Sequence, residues 1–102
     1  MKKHGPVRGS RTGRPIMVVL DLLGRRWVLR ILWELRSEAA TFRALQARCD
    51  EVSPTVLNAR LKDLREAEII DLTPEGYALT PSGMKLLHAL APLEQWAKAW
   101  IR

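Results

Sequence analysis

Apolar positions recur at helical spacing along most of the chain, with one short stretch that alternates as strands do. From Ile16 to Leu23 (IMVVLDLL) nearly every residue is apolar, and Gly24 closes the run as a helix C-terminus would. A helix that is apolar almost all round needs cover on more than one side, from its own core and from a second surface. The following segment, RRWVLRILWEL, predicts a second helix with Trp27, Ile31, Leu32 and Leu35 on one face. Thr41 is the expected N-cap of a third, FRALQARC, which turns Phe42, Leu45 and Cys49 to one side. Cys49 falls where a core leucine would serve, so it reads as a small buried hydrophobe.

The fourth helix, VSPTVLNARLKDL, has the sharpest start. Ser53 is a good N-cap and Pro54 a good first helical residue, while Val52 and Leu57 hold the positions of a hydrophobic staple. Leu57, Leu61 and Leu64 form its core stripe. Thr55, Asn58, Ala59 and Lys62 lie on the other side. Two short helices joined by three or four residues make the helix-turn-helix pattern, which puts a recognition helix at about residues 53–67.

After Ala67 the period changes. Ile69, Ile70 and Leu72 read as a strand, TPEG (Thr73 to Gly76) as a turn, and Tyr77, Ala78 and Leu79 as the return strand. Thr80-Pro81 repeats the cap signal, with Leu79 and Met84 in staple positions. The last helix carries Leu86, Leu90, Leu93, Ala97 and Trp100 on one stripe. Pro92 is expected to kink or split it near Leu90. The predicted fold is mainly α with a small β-hairpin, a winged helix-turn-helix.

With 102 residues the chain fits one domain around one core, and 27% charged residues against 47% apolar is a globular balance. The charge is unevenly placed. Residues 1–15 hold Lys2, Lys3, Arg8, Arg11 and Arg14 and no acid, so they carry +5 of the net +6. Rich in glycine and proline, they read as a flexible basic arm ahead of a domain over 16–102. Such an arm suits nucleic acid, and it equally suits a solubilising leader. No apolar run approaches the ~20 residues of a membrane span, and no secretory signal is visible. The single cysteine can form no internal disulfide, so the expected compartment is the cytoplasm.

The chemistry of catalysis is poorly represented. His4 lies in the arm and His88 alone on the last helix. No metal-ligand spacing, phosphate loop or carboxylate pair stands out, so neither a catalytic residue nor a metal or cofactor is expected. The expected partner is double-stranded DNA. Ser53, Pro54, Thr55, Asn58 and Ala59 line the first turns of the recognition helix. Thr55 and Asn58 can hydrogen-bond base edges, and asparagine suits adenine. Arg60 and Lys62 are better placed for phosphates. Arg25, Arg26 and Arg43, near helix starts, are assigned phosphates as well. Cations there oppose the helix dipole at ~0.3–1 kcal/mol each, a cost that invites another purpose.

The order of these elements and their residues resemble the HxlR family of winged-helix transcriptional regulators, within the broader MarR-like group, over about residues 17–100. LDLLGRRWVLRILWEL is similar to that family's Gly, basic residue, Trp, Ile-Leu pattern. FRALQARCDEVSPTVLNARLKDLREAEII is similar to its Phe-x-x-Leu and Ser-x-x-x-Leu-x-x-Arg-Leu-x-x-Leu run, and Arg60 matches the family arginine. LTPSGMKLL and LEQW are similar to its last motifs. The resemblance implies a homodimeric DNA-binding regulator whose first and last helices pair, here through Met17, Leu20, Leu90, Leu93, Trp96 and Trp100. Family members often carry a cysteine before the first helix, and HGPVRGSRTGRPI has none. The usual Glu-Ala-Gly after the recognition helix is Glu66-Ala67-Glu68, so a residue free to take positive φ is missing. The wing tip Pro74-Glu75-Gly76 carries an acid that repels phosphates. Trp27, Trp33, Trp96 and Trp100 could wall a pocket for a small-molecule effector. The near-neutral domain and acidic wing leave a second reading open, a winged-helix module that binds protein without specific DNA recognition.

Overall fold

The computed structural model describes residues 14–101. The basic arm expected over 1–15 thus lies outside the described residues, apart from Arg14 and Pro15. Five helices and one hairpin follow in the predicted order: α1 (Pro15–Leu23), α2 (Val28–Glu34), α3 (Phe42–Arg48), α4 (Pro54–Glu66), β1 (Ile70–Thr73), β2 (Gly76–Leu79) and α5 (Pro81–Trp100). The core is built from α2 to β1. Val28, Ile31, Leu32, Leu45, Cys49, Leu57, Leu61, Leu64 and Ile70 are all buried, each large aliphatic chain contributing about 1.5–3 kcal/mol.

Three helices start as their caps require. The hydroxyls of Thr41, Ser53 and Thr80 accept from the backbone N–H of Ala44, Val56 and Gly83 at 3.1, 3.1 and 3.0 Å. Thr80 also donates to the Glu68 carbonyl at 2.6 Å, which ties the start of α5 to the end of α4. Val52 and Leu57 are both buried, as a staple needs.

Several expectations are corrected. Trp27 does not lie on the face of α2. It is the N-cap, in the left-handed region at φ 77°, because the chain must reverse between α1 and α2 within four residues. Its ring still packs against the core, with the Arg26 guanidinium 5.4 Å from the ring centre. Of the two outcomes expected at Pro92, a kink or a split, the split does not occur: α5 runs as one helix from Pro81 to Trp100. Proline removes one backbone donor, and the carbonyl it orphans belongs to exposed His88, where water can satisfy it. Glu68 takes φ 61° although it is not glycine, at a cost of roughly 1–2 kcal/mol. It does so because the Ile69 N–H must return to the Leu64 carbonyl at 3.0 Å to close α4.

The turn between α3 and α4 holds two further left-handed residues, Asp50 at φ 57° and Glu51 at φ 58°. Hydrogen bonds from α2 and α3 hold it. The Glu51 N–H donates to the Gln46 carbonyl at 2.8 Å, and the Gln46 amide donates to the Val52 carbonyl at 3.0 Å. From α2, the Arg30 guanidinium donates to the Arg48 carbonyl and lies 3.0 Å from Glu34.

The hairpin pairs Ile70 with Leu79 and Thr73 with Gly76. Ala40 adds a short third edge, exchanging both backbone hydrogen bonds with Tyr77 at 2.9 and 2.8 Å. Gly76 makes this possible. It has φ 122°, and a β-carbon there would come within 2.6 Å of the Ala40 backbone. Neither the third edge nor its dependence on Gly76 was legible in the hydropathy pattern.

Candidate nucleic-acid interface

On α4 the buried leucines 57, 61 and 64 point inwards, while Pro54, Thr55, Asn58 and Lys62 are exposed and Ala59 is half-buried. At 3.6 residues per turn, positions 55, 58, 59 and 62 share one face, so the predicted reading surface exists as a surface. Thirteen residues make a helix of about 20 Å, long enough to lie along a major groove. Ser53 is exposed at its start, but its oxygen is committed to the cap. Val56 was missed by the sequence reading. It is 37% exposed in the first turn, an apolar side chain beside Thr55. Its place on the helical wheel, 100° from Leu57 and outside the leucine stripe, was the available signal.

The basic residues divide into two groups. Arg26, Arg43 and Lys62 are exposed and form no ion pair among the described residues. Arg25 and Arg60 are turned inwards. The Arg25 guanidinium lies 3.1 Å from Asp63 and 3.4 Å from Asp21, and Arg60 lies 3.6 Å from Asp63. Their side chains are only 21% and 25% exposed, and the Arg60 Nε is buried with no hydrogen-bond partner. The phosphate roles expected of Arg25 and Arg60 are therefore not what their geometry favours, because their charge already has carboxylates to neutralise it. At the hairpin tip the Glu75 N–H donates to the Thr73 hydroxyl oxygen, and the Glu75 carboxylate is exposed.

Away from this face, apolar side chains crowd the surface of α1 and α5. Ile16, Leu20, Leu93, Trp96, Trp100 and Ile101 are each more than half exposed, whereas Met17 and Leu90 are half-buried. Trp96 and Trp100 stack on each other with ring centres 5.2 Å apart. Between α2 and α5 runs a groove of about 650 Å³, floored by Leu29, Leu32, Leu87 and Leu90, with Trp33, Arg36 and His88 among its lining residues. Leu79 and Met84, the expected staple, both line it; Met84 stays exposed. Of the four tryptophans expected to wall a pocket, only Trp33 lines the groove, and Arg36 covers its ring at 3.8 Å. Trp27 packs on the core, and Trp96 and Trp100 face outwards. No helix of the described residues is long and apolar enough to cross a membrane.

A capped helix with an exposed polar face, set behind a tight turn and followed by a hairpin, defines a winged helix-turn-helix regulator that binds DNA. Residues 22–102 match the HxlR-like helix-turn-helix family, and the chain belongs to that family. It is 33% identical over 89 residues to the HTH-type transcriptional regulator YvaP of Bacillus subtilis (strain 168), covering 80% of this chain and 82% of that protein. Among solved structures it is similar to quinone-bound YodB of B. subtilis. That match has a TM-score of 0.75 and 27% identity, over 82% of this chain and 96% of YodB. A MarR-family regulator of Porphyromonas gingivalis W83 shares the fold at a TM-score of 0.73 and 22% identity, over 87% of this chain and 94% of its own.

Proposed function

We propose that the chain works in the cytoplasm as a homodimer that reads a two-fold DNA site, with α4 of each protomer in the major groove. Half-sites would lie one helical turn apart, about 34–36 Å. The observation that carries this reading is the outer face of α4, where Thr55 and Asn58 are exposed directly after the Ser53 cap. Asn58 is assigned an adenine edge, and Thr55 a hydrogen bond to a neighbouring base. Val56 fits a thymine methyl group. Ser53, Pro54 and Ala59 shape the close approach at the helix start. Lys62, Arg26 and Arg43 are assigned phosphates, and Glu75 keeps the wing tip away from them.

The exposed apolar surface of α1 and α5 supports the dimer. Patches of this kind mark interfaces, and tryptophan is enriched in them. Met17, Leu20, Leu90, Leu93, Trp96 and Trp100 are the assigned contacts. The groove between α2 and α5 is the place for an apolar small-molecule effector. Thiol chemistry is not assigned to sensing, since Cys49 has no exposed surface.

Selection from a library of duplex DNA, followed by titration of the best fragment against random sequence, tests the reading. A preferred inverted repeat is the expected result. Failure to prefer any fragment would favour the protein-interaction module instead. Light scattering at micromolar concentration should return twice the mass of one chain, and a monomer would sink the two-half-site arrangement.

A further inference from the structure

Asp63 belongs to the recognition helix but not to its reading face. At 100° per residue it lies about 140° around α4 from Asn58. Its carboxylate, 16% exposed, is held between two guanidiniums, Arg25 at 3.1 Å and Arg60 at 3.6 Å. Arg25 in turn reaches Asp21, in the last turn of α1, at 3.4 Å. Charges of alternating sign therefore run from α1, through the turn after Gly24, into α4.

The leucines of α4 set how deep the helix lies, but apolar burial is non-directional and tolerates small rolls and slides. An ion pair between two partly buried side chains ties one point of a helix to one point of its neighbour, and so resists them. Base reading demands such control, because Thr55 and Asn58 must meet base edges at about 3 Å. A carboxylate on a DNA-binding helix also repels phosphates. Its presence there needs a compensating role.

We infer that Asp63 is a positioning residue for DNA recognition: through Arg25 it fixes α4 against the end of α1 and holds Arg60 folded inwards, so the roll of the reading face follows the dimerising helix. This rests on the DNA-regulator reading above.

The sign of one substitution separates this role from simple neutralisation. Asp63→Asn removes a negative charge, loosens Arg60 and leaves Arg25 paired with Asp21 alone of these two carboxylates. If Asp63 only masks phosphate contacts, affinity for the selected fragment and for random duplex DNA should rise together, with a steeper salt dependence. If it positions α4, affinity for random DNA should hold or rise while affinity for the selected fragment falls, lowering their ratio about tenfold or more. The double variant Arg25→Gln/Asp63→Asn should then lose no more than Asp63→Asn alone, because both act through one link. Circular dichroism and light scattering confirm that each variant is a folded dimer, and Arg25→Gln alone carries the test if Asp63→Asn does not fold. A wild type that discriminates, with an unchanged ratio in the variants, would overturn this inference alone. A wild type that prefers no fragment would overturn the regulator reading and this inference with it.

Discussion

Gly83, in the first turn of α5, lies directly on the backbone carbonyl of Ile69. A β-carbon at position 83 would fall inside that oxygen, and no rotamer change could relieve it because the obstacle is backbone. Gly83 is also the only fully buried residue of α5. The helix that carries Trp96 and Trp100 is thus seated, through a residue with no side chain, on the segment that leads into β1.

Gly83→Ala should therefore destabilise the fold, although alanine is the better helix former by about 1 kcal/mol. Overpacking against backbone costs roughly 1–3 kcal/mol or more and should outweigh that gain. Urea unfolding of the variant would show a lower midpoint. An unchanged midpoint would mean that α5 moves freely away from Ile69.

Glu68→Gly should act in the opposite direction. The residue sits at φ 61°, where a β-carbon is strained. Glycine should stabilise by about 0.5–1 kcal/mol, after subtracting its greater freedom in the unfolded chain and the lost glutamate contacts. Thermal unfolding of both proteins at one concentration decides this.

Two residues of α4 separate reading from holding. Asn58→Ala should cost ~1–3 kcal/mol of discrimination at one base pair in each half-site. Lys62→Ala should weaken every sequence alike and lower the salt slope by about one per protomer. Titrations at several salt concentrations would show the pattern, and the reverse assignment would exchange the two roles.

Cys49 gives a pH dependence. Burial pushes its thiol above the ordinary value of 9.0, with Arg30 opposing the shift. The folded state thus resists deprotonation more than the unfolded state does. The stability from keeping the thiol neutral is complete below about 9 and is lost as pH rises through the folded value. Unfolding free energy should fall more steeply from pH 8 to 10 in the wild type than in Cys49→Ala. Equal slopes would show that the thiol is not shielded.

Element order, caps and the buried stripes were determined by the sequence itself. Thr41, Ser53 and Thr80 act within a few residues of their own position, and Leu57, Leu61 and Leu64 repeat at a spacing that only one face can satisfy. The exposed polar face of α4 followed from the same periodicity. What needed the tertiary structure were relations between distant segments. Arg25 and Asp63 are 38 residues apart in the numbering, Ala40 and Tyr77 are 37, and no local pattern announces either pair. For the same reason the pairing of Arg25 with Asp63 was hidden, whereas Arg60 and Asp63 stand three residues apart on one helix, a spacing the sequence does carry. Backbone strain at Trp27 and Glu68 was likewise set by where the next helix or strand had to go. Local propensity and periodicity act along the chain and can be read there. Charge pairing and close backbone approach depend on which segments folding brings together, and those were decided in three dimensions.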